Sequence, residues 1–364
     1  MSRHIQISHP STGDDEWQAT REPLTTGWLT QGPKVAQFEK NFGELHHVKH
    51  ALATTSCTTG LHLILAAMGI GPGDEVIVPA FTWVATANVV LYCGATPVLV
   101  DVDRDTYNID PADVARKLGP RTKAVIAVHL FGLCADMDAL KAVLPAGMPV
   151  IEDAACASGA TYKGASAGGL GLAAAFSFHP RKSITTGEGG MVTTNDDRLA
   201  EVAGMLRNHG ASVSEEQRHT GPRPYLLAEF NLLGFNYRMT DLQGAVGVVQ
   251  LAKLTRFVAE RDEWAAWYMR ELAAVSWLRM PQRPAHGNHA WQAFVTYVDP
   301  DRAPMPRNEI MEYLQRKGIS TRPGTHAIHE LGYYRDRLGL KADDLPGARD
   351  CDAHTMAIPL HNRM

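Results

Sequence analysis

The sequence predicts an α/β protein: a mostly parallel sheet between helices, followed by a smaller C-terminal domain. Three observations lead there. From about residue 50, short apolar runs alternate with amphipathic stretches, as expected for strands buried on both faces by crossover helices. Turn signals such as GPGD at Gly71 to Asp74 separate those runs. After Asp241 the text changes to a long helical segment and then a proline-rich connection, Pro281 to Pro284.

The elements follow in order. Ser56 is placed to cap a helix that carries Leu61 to Met68. EVIVP after Asp74 and PVLVD at Pro97 to Asp101 read as strands. NIDPADVARKL starts a helix, with Asp110 as N-cap and Pro111 at the first helical position. AVIAVH (Ala124 to His129) and PVIED (Pro149 to Asp153) are two further strands. The second delivers Glu152 and Asp153 to its carboxyl end, the edge where open α/β sheets bind ligands. AAAFSFH (Ala173 to His179) and GMVTTN (Gly190 to Asn195) extend the sheet. LQGAVGVVQLAKLTRFVAERDEWAAWYMRELAAV reads as one long helix. A boundary along it at about residue 250 divides a large domain, 1–250, from a small one, 251–364.

Composition narrows the function. The 364 residues can bury a sizeable core. With 35 basic and 39 acidic side chains, a net charge of -4 and no long single-sign run, neither nucleic acid nor a membrane surface is the expected partner. Five scattered cysteines (Cys57, Cys93, Cys134, Cys156, Cys351) suggest neither a disulfide framework nor a CxxC metal site, and point to a reducing cytosol. The N-terminus has no apolar signal core, and no apolar run reaches the roughly 18 residues of a membrane helix. A cytoplasmic enzyme for small molecules is the expectation. HHVKH at His46 to His50 lacks a companion carboxylate motif, so no metal is assigned.

The stretch FSFHPRKSITTGEGG sets Lys182 between an apolar strand and a glycine-rich turn. A P-loop requires glycines ahead of its lysine; here HPR precedes it. The match to a dinucleotide fingerprint at Gly169 to Ala174 follows a polar loop and leads into a strand, the wrong context. A solvated loop cation or a Schiff-base lysine remains, and for the second, pyridoxal phosphate (PLP) chemistry needs three companions: a carboxylate for the ring nitrogen, a phosphate cradle and a flat group against the ring. Asp153 is the candidate carboxylate, with a helix N-cap before AACAS as its ordinary alternative. TTSCTTG, Thr54 to Gly60, offers the backbone N–H groups of Cys57 and Thr58 and the Thr58 hydroxyl at a helix N-terminus; simple capping is the alternative. Ser177 adds a hydroxyl. Trp83 in PAFTWVATAN could stack on the ring or belong to the core.

These segments, VIEDAACASGA, PAFTWVATAN and FSFHPRKSITTGEGG, together with GWLTQGP and GFNYRMTDLQGAVGVVQL, resemble the DegT/DnrJ/EryC1/StrS family from about Gly27 onward. The resemblance implies the type I fold of PLP-dependent transferases, with a mixed, mostly parallel seven-stranded sheet and an α+β C-terminal domain. It implies that Lys182 forms the internal aldimine, that Asp153 binds the ring nitrogen and that Trp83 stacks on the ring. Cys57, Thr58 and Ser177 match phosphate contacts. Asn236 matches an asparagine that reaches the neighbouring subunit's phosphate site, hence a homodimer with shared active sites. Cys156 stands where many members carry Gln or His beside the cofactor's 3-hydroxyl. Cys57 replaces a usual small residue, and the sequence ends at PLHNRM where members commonly continue through a final helix.

The implied reaction is ping-pong transamination through PLP and pyridoxamine phosphate (PMP). A nucleotide-linked keto sugar, first of all a 4-keto-6-deoxyhexose, receives the amino group, and glutamate is the donor. Substrate-site candidates are Trp28 and Gly32 of GWLTQGP, Glu188, Arg238 and His329, with His289 and Tyr334 as weaker ones. A keto-cyclitol or other non-nucleotide ketone is the alternative acceptor. Lys182 argues against a PMP-dependent sugar dehydratase, which replaces the lysine, and Lys182 with Asp153 argues against a non-catalytic regulator.

Overall fold

The computed structural model describes residues 4–212, 225, 227–285 and 287–364. Seven strands form the main sheet: β1 (His50–Thr54), β2 (Glu75–Pro79), β3 (Thr96–Val100), β4 (Thr122–Val128), β5 (Val150–Asp153), β6 (Ala173–Ser177) and β7 (Gly190–Thr194). Their order is β1-β7-β6-β5-β4-β2-β3. Only β7 runs against the rest, pairing antiparallel with both β1 and β6. The other neighbours pair parallel. Thr54, Pro79, Asp153 and Ser177 therefore end their strands at one edge, and Gly190 begins β7 at that same edge.

Apolar layers cover both faces. On one, Leu61 and Ile64 of helix α2 (Cys57–Ala67) and Val90 of α3 (Ala85–Tyr92) pack against Val76, Ile126 and Ile151. On the other, Phe38 and Phe42 of α1 (Pro33–His46) meet Ile77, Val125 and Phe176. Val-, Ile- and Ala-rich strands without polar alternation are what this double coverage requires.

The expected single helix after Asp241 is two, α4 (Asp241–Ala252) and α5 (Leu254–Glu271). Lys253 forms the joint. Its N–H bonds back to Gln250 O at 3.1 Å, while its Nζ reaches Glu16 Oε1 at 2.7 Å and Asp15 Oδ2 at 3.0 Å. Glu16 also takes the amide of Gln250 at 2.7 Å. This anchoring to a segment more than 200 residues away closes the first helix where no glycine or proline stands. Beyond α5 a four-stranded antiparallel sheet contains Leu278–Arg279, Phe294–Val298, Arg322–Pro323 and Thr355–Ile358. Its own core gathers Trp291, Phe294, Ile310, Met356 and Ile358.

Candidate active site

Lys182 lies on a loop pinned at its base. Phe178 O accepts from Thr186 N at 3.0 Å and from the Thr185 hydroxyl at 2.8 Å, and Lys182 N closes a turn on His179 O at 2.8 Å. The chain then re-enters the sheet at Gly190, opposite Ser177. The half-buried Lys182 places Nζ 3.2 Å from Cys156 Sγ. Burial pushes its amine pKa down, while the Cys156 and Cys57 sulfurs and the Asp153 carboxylate push it up; the net direction is up. The cluster holds the free lysine as an ammonium.

Asp153 is buried at the end of β5, and no helix follows it: residues 154–160 form turns. The capping alternative is thereby removed. Its Oδ2 accepts from the hydroxyl of Thr86 at 2.7 Å, and its Oδ1 from Ala155 N at 3.2 Å. Cys57 Sγ lies 3.8 Å from Oδ1 and donates to Ala175 O at 3.3 Å. Burial and the Asp153 charge push the Cys57 thiol far up, so it remains a neutral donor. Thr86, fully buried in the first turn of α3, is a positioning residue the sequence reading missed. Its signal is its place three residues after Trp83 in PAFTWVATAN.

The N-terminus of α2 offers donors suited to an anion. Ser56 is extended and its Oγ accepts from Thr59 N at 3.1 Å, completing a capping box. Cys57 and Thr58 then present N–H groups that have no intrahelical acceptor, at the positive end of the helix. Gly190 brings β7 against this turn: a Cβ there would stand 2.5 Å from Ser56 O and 2.6 Å from Cys57 N. The close approach places Ser177, paired with Gly190, beside the α2 terminus. These residues fit PLP: donors for a phosphate dianion, a buried carboxylate for a protonated ring nitrogen, and an amine for the aldehyde.

Trp83 directly follows the two-residue strand Phe81–Thr82 and is 62 % exposed, which a core residue would not be. Its ring centroid lies 5.8 Å from that of His326, a neighbour the sequence did not suggest. Asn236 is exposed and its side chain makes no hydrogen bond among the described residues. Its backbone bridges Asn208, and Arg238 bridges Thr54 at the end of β1. Arg238 also donates to Asn208 Oδ1 at 2.6 Å.

Apart from Arg238, the predicted substrate residues divide into two groups. Trp28, Gly32 and Glu188 come together through Asp241 and Gln243. Asp241 Oδ1 accepts from Gly32 N and Val35 N, both at 2.9 Å, and caps α1. The Trp28 indole packs over Gly32 and donates to Gln31 O at 3.2 Å. Gln243 Nε2 donates to Glu188 O at 2.7 Å. His329, His289 and Tyr334 make no hydrogen bond to the Lys182–Asp153 cluster among the described residues. His329 is buried with Nε2 on Ala342 O at 3.1 Å. His289 stacks on Trp291 at 3.8 Å, and burial lowers its pKa to about 3. Tyr334 donates to Asn88 Oδ1 at 2.5 Å. Within HHVKH, His46 bonds Phe42 O at 3.1 Å and His50 reaches Asp197 at 2.6 Å.

A mostly parallel sheet with this lysine, carboxylate and helix terminus at its carboxyl edge is the arrangement of a PLP-dependent enzyme of the type I fold. The chain belongs to the DegT/DnrJ/EryC1/StrS aminotransferase family, whose sequence profile matches residues 10–364. It is similar to the aminotransferase TlmJ of Streptoalloteichus hindustanus, at 33% identity and TM-score 0.90, covering 99% of this chain and 94% of that one. DesV of S. venezuelae is 32% identical with TM-score 0.88, covering 98% and 93%. A putative sugar aminotransferase of Streptococcus pneumoniae, solved in its PLP form, is 27% identical with TM-score 0.90, covering 100% and 95%.

Proposed function

We propose that this enzyme moves an amino group from glutamate to a nucleotide-linked keto sugar, with a 4-keto-6-deoxyhexose as the first acceptor to try. The observation that carries the reading is the juxtaposition of Lys182 with Cys156 and of Asp153 with Thr86 and Cys57, beside the α2 terminus. Similarity to a putative sugar aminotransferase and to a Helicobacter pylori aminotransferase of pseudoaminic acid biosynthesis supports the sugar class.

Bound PLP supplies an electron sink for the pair of electrons left when the substrate's α-proton departs. Lys182 would hold the cofactor through its amine. Its amine would take the proton from the donor's α-carbon and deliver it to the cofactor, and would move a proton the opposite way for the keto acceptor. Asp153, fixed by Thr86, would keep the ring nitrogen protonated. Cys57 N–H, Thr58 and Ser177 would bind the phosphate, and Trp83 would stack on the ring. Cys156, in contact with Lys182, would stand beside the cofactor. Asn236 reaches a second copy of the chain, so the active unit is a homodimer. Trp28, Gly32, Glu188 and Arg238 are assigned to the sugar nucleotide; His329, buried and bonded to Ala342 O, is not. The cytoplasm, a reducing compartment, suits five cysteines that are all unpaired. Among the described residues no helix is long and apolar enough to cross a membrane.

The test loads the protein with PLP and glutamate and then offers a panel of nucleotide-linked keto sugars and keto-cyclitols. The proposal expects an amino sugar nucleotide and 2-oxoglutarate. Turnover of a cyclitol alone would replace the acceptor, and no oxo acid from glutamate would remove the donor.

A further inference from the structure

The contact between Lys182 Nζ and Cys156 Sγ, at 3.2 Å, joins a primary amine to a thiol without any intervening group. Cys156 is half-buried, in the turns that follow β5. The other four cysteines differ from it. Cys57, Cys134 and Cys351 are buried, and burial raises all three thiols. Burial also pushes Cys93 up to about 11. Among the five, Cys156 is the one with an amine at hydrogen-bonding distance.

We propose that Cys156 and Lys182 form an oxidation site: when the lysine is free of cofactor, a peroxide joins the two side chains through a reversible sulfur–nitrogen bond. The cofactor-free lysine occurs both in apoprotein and, on the reading above, in the PMP stage of each turnover.

The chemistry balances. In its thiolate form Cys156 attacks one oxygen of hydrogen peroxide; sulfur is oxidised by two electrons, the O–O bond breaks, and hydroxide leaves. The Lys182 ammonium, beside the sulfur, protonates that hydroxide to water and becomes the neutral amine. The products are a sulfenic acid and a nucleophilic amine in contact. The amine then attacks the sulfenyl sulfur, the S–O bond breaks, and a second water departs. Sulfenic acids condense in this way with nitrogen or thiol neighbours, and contact geometry makes the step effectively unimolecular. Two equivalents of a thiol reductant reverse the link, restoring Cys156 and Lys182 and forming a disulfide of the reductant. The consequence is chemical as well as regulatory: the lysine is capped while the thiol is kept from sulfinic and sulfonic acids, which lie further along the irreversible part of the ladder.

The experiment treats full-length protein, in cofactor-free and PLP-loaded forms, with hydrogen peroxide and reads intact mass and tryptic peptides. The expected result for cofactor-free protein is the loss of two hydrogens, a peptide joining Cys156 to Lys182, and full recovery of mass with dithiothreitol. Stepwise oxygen addition at Cys156 without a linked peptide would overturn the proposal. So would loss of two hydrogens persisting in Lys182→Arg, because that outcome identifies a Cys57–Cys156 disulfide instead. Cys156→Ser must abolish the link. The loaded form separates this inference from the cofactor reading: protection by PLP supports both, whereas equal linking with and without PLP leaves the oxidation site standing and removes Lys182 as the cofactor's anchor.

Discussion

Replacing Gly190 by alanine probes the cradle without touching any group that contacts substrate. An added Cβ would stand 2.6 Å from Cys57 N and 2.5 Å from Ser56 O, where ordinary contact begins at 3.4 Å. Both neighbours are backbone of the α2 turn, so β7 and the helix terminus must separate by about 1 Å, the kind of overpacking that costs about 1–3 kcal/mol of folding stability. The same separation carries the Cys57 and Thr58 N–H groups away from Ser177, which pairs with Gly190. Weakening one charge-assisted hydrogen bond to a phosphate costs about 1.5–3 kcal/mol, or about 10- to 100-fold in affinity at about 1.4 kcal/mol per decade. The assay is titration of the cofactor-free protein with PLP, followed by visible absorbance, alongside thermal unfolding. Gly190→Ala should bind PLP about 10- to 100-fold more weakly and unfold at lower temperature. Unchanged affinity, with unfolding shifted or not, would refute the placement of the phosphate at this turn.

Other consequences are direct. Thr86→Val strips the hydroxyl that donates to Asp153 Oδ2 at 2.7 Å; urea unfolding of cofactor-free protein should show a loss of about 1.5–3 kcal/mol, and Thr86→Ser should restore most of it. Asp153→Asn leaves no charge to hold a ring proton, and single-turnover kinetics with glutamate should slow by about 100-fold or more. Glu152 is fully buried and accepts from His129 at 2.9 Å and from the N–H groups of Gly168, Leu170 and Gly171, each at 2.8 Å. Burial alone raises its pKa, but those donors bring it below the ordinary 4.5. A lowered folded-state pKa gives stability that is present above the unfolded value and lost as pH falls through the folded one. Stability measured across pH should therefore decline below about 4.5, and Glu152→Gln should flatten that part of the profile.

Local features of this protein were legible in its sequence because they depend on neighbours in the chain. Ser56 caps α2 and Asp110 caps Pro111–Lys117, since each cap bonds within three residues. EVIVP, VIED and AAAFS are strands because apolar runs of that length suit a sheet covered on both faces. Lys182, Cys156 and Asp153 were recognised within motifs, and the fold brings them to one edge. What depends on distant partners was not readable. Asp241 caps α1 across more than 200 residues, so GWLTQGP and NYRMTD gave no sign of their contact. The joint at Lys253 comes from Glu16, again remote. Asp153 appeared equally suited to capping a helix; only the turns after it and the Thr86 hydroxyl removed that choice. His326 reaches Trp83 through pairing of His326–Ala327 with Phe81–Thr82, a contact between segments far apart in the sequence.

The central claim is that Lys182 performs the chemistry as well as holding the cofactor. Its most direct test is single-turnover absorbance of the PLP-loaded protein mixed with glutamate, for wild type and for Lys182→Ala supplied with excess PLP. Wild type should pass to the PMP spectrum with release of one oxo acid per site, and Lys182→Ala should bind substrate and cofactor yet fail to transfer the proton. Conversion by Lys182→Ala at the wild-type rate would contradict the account.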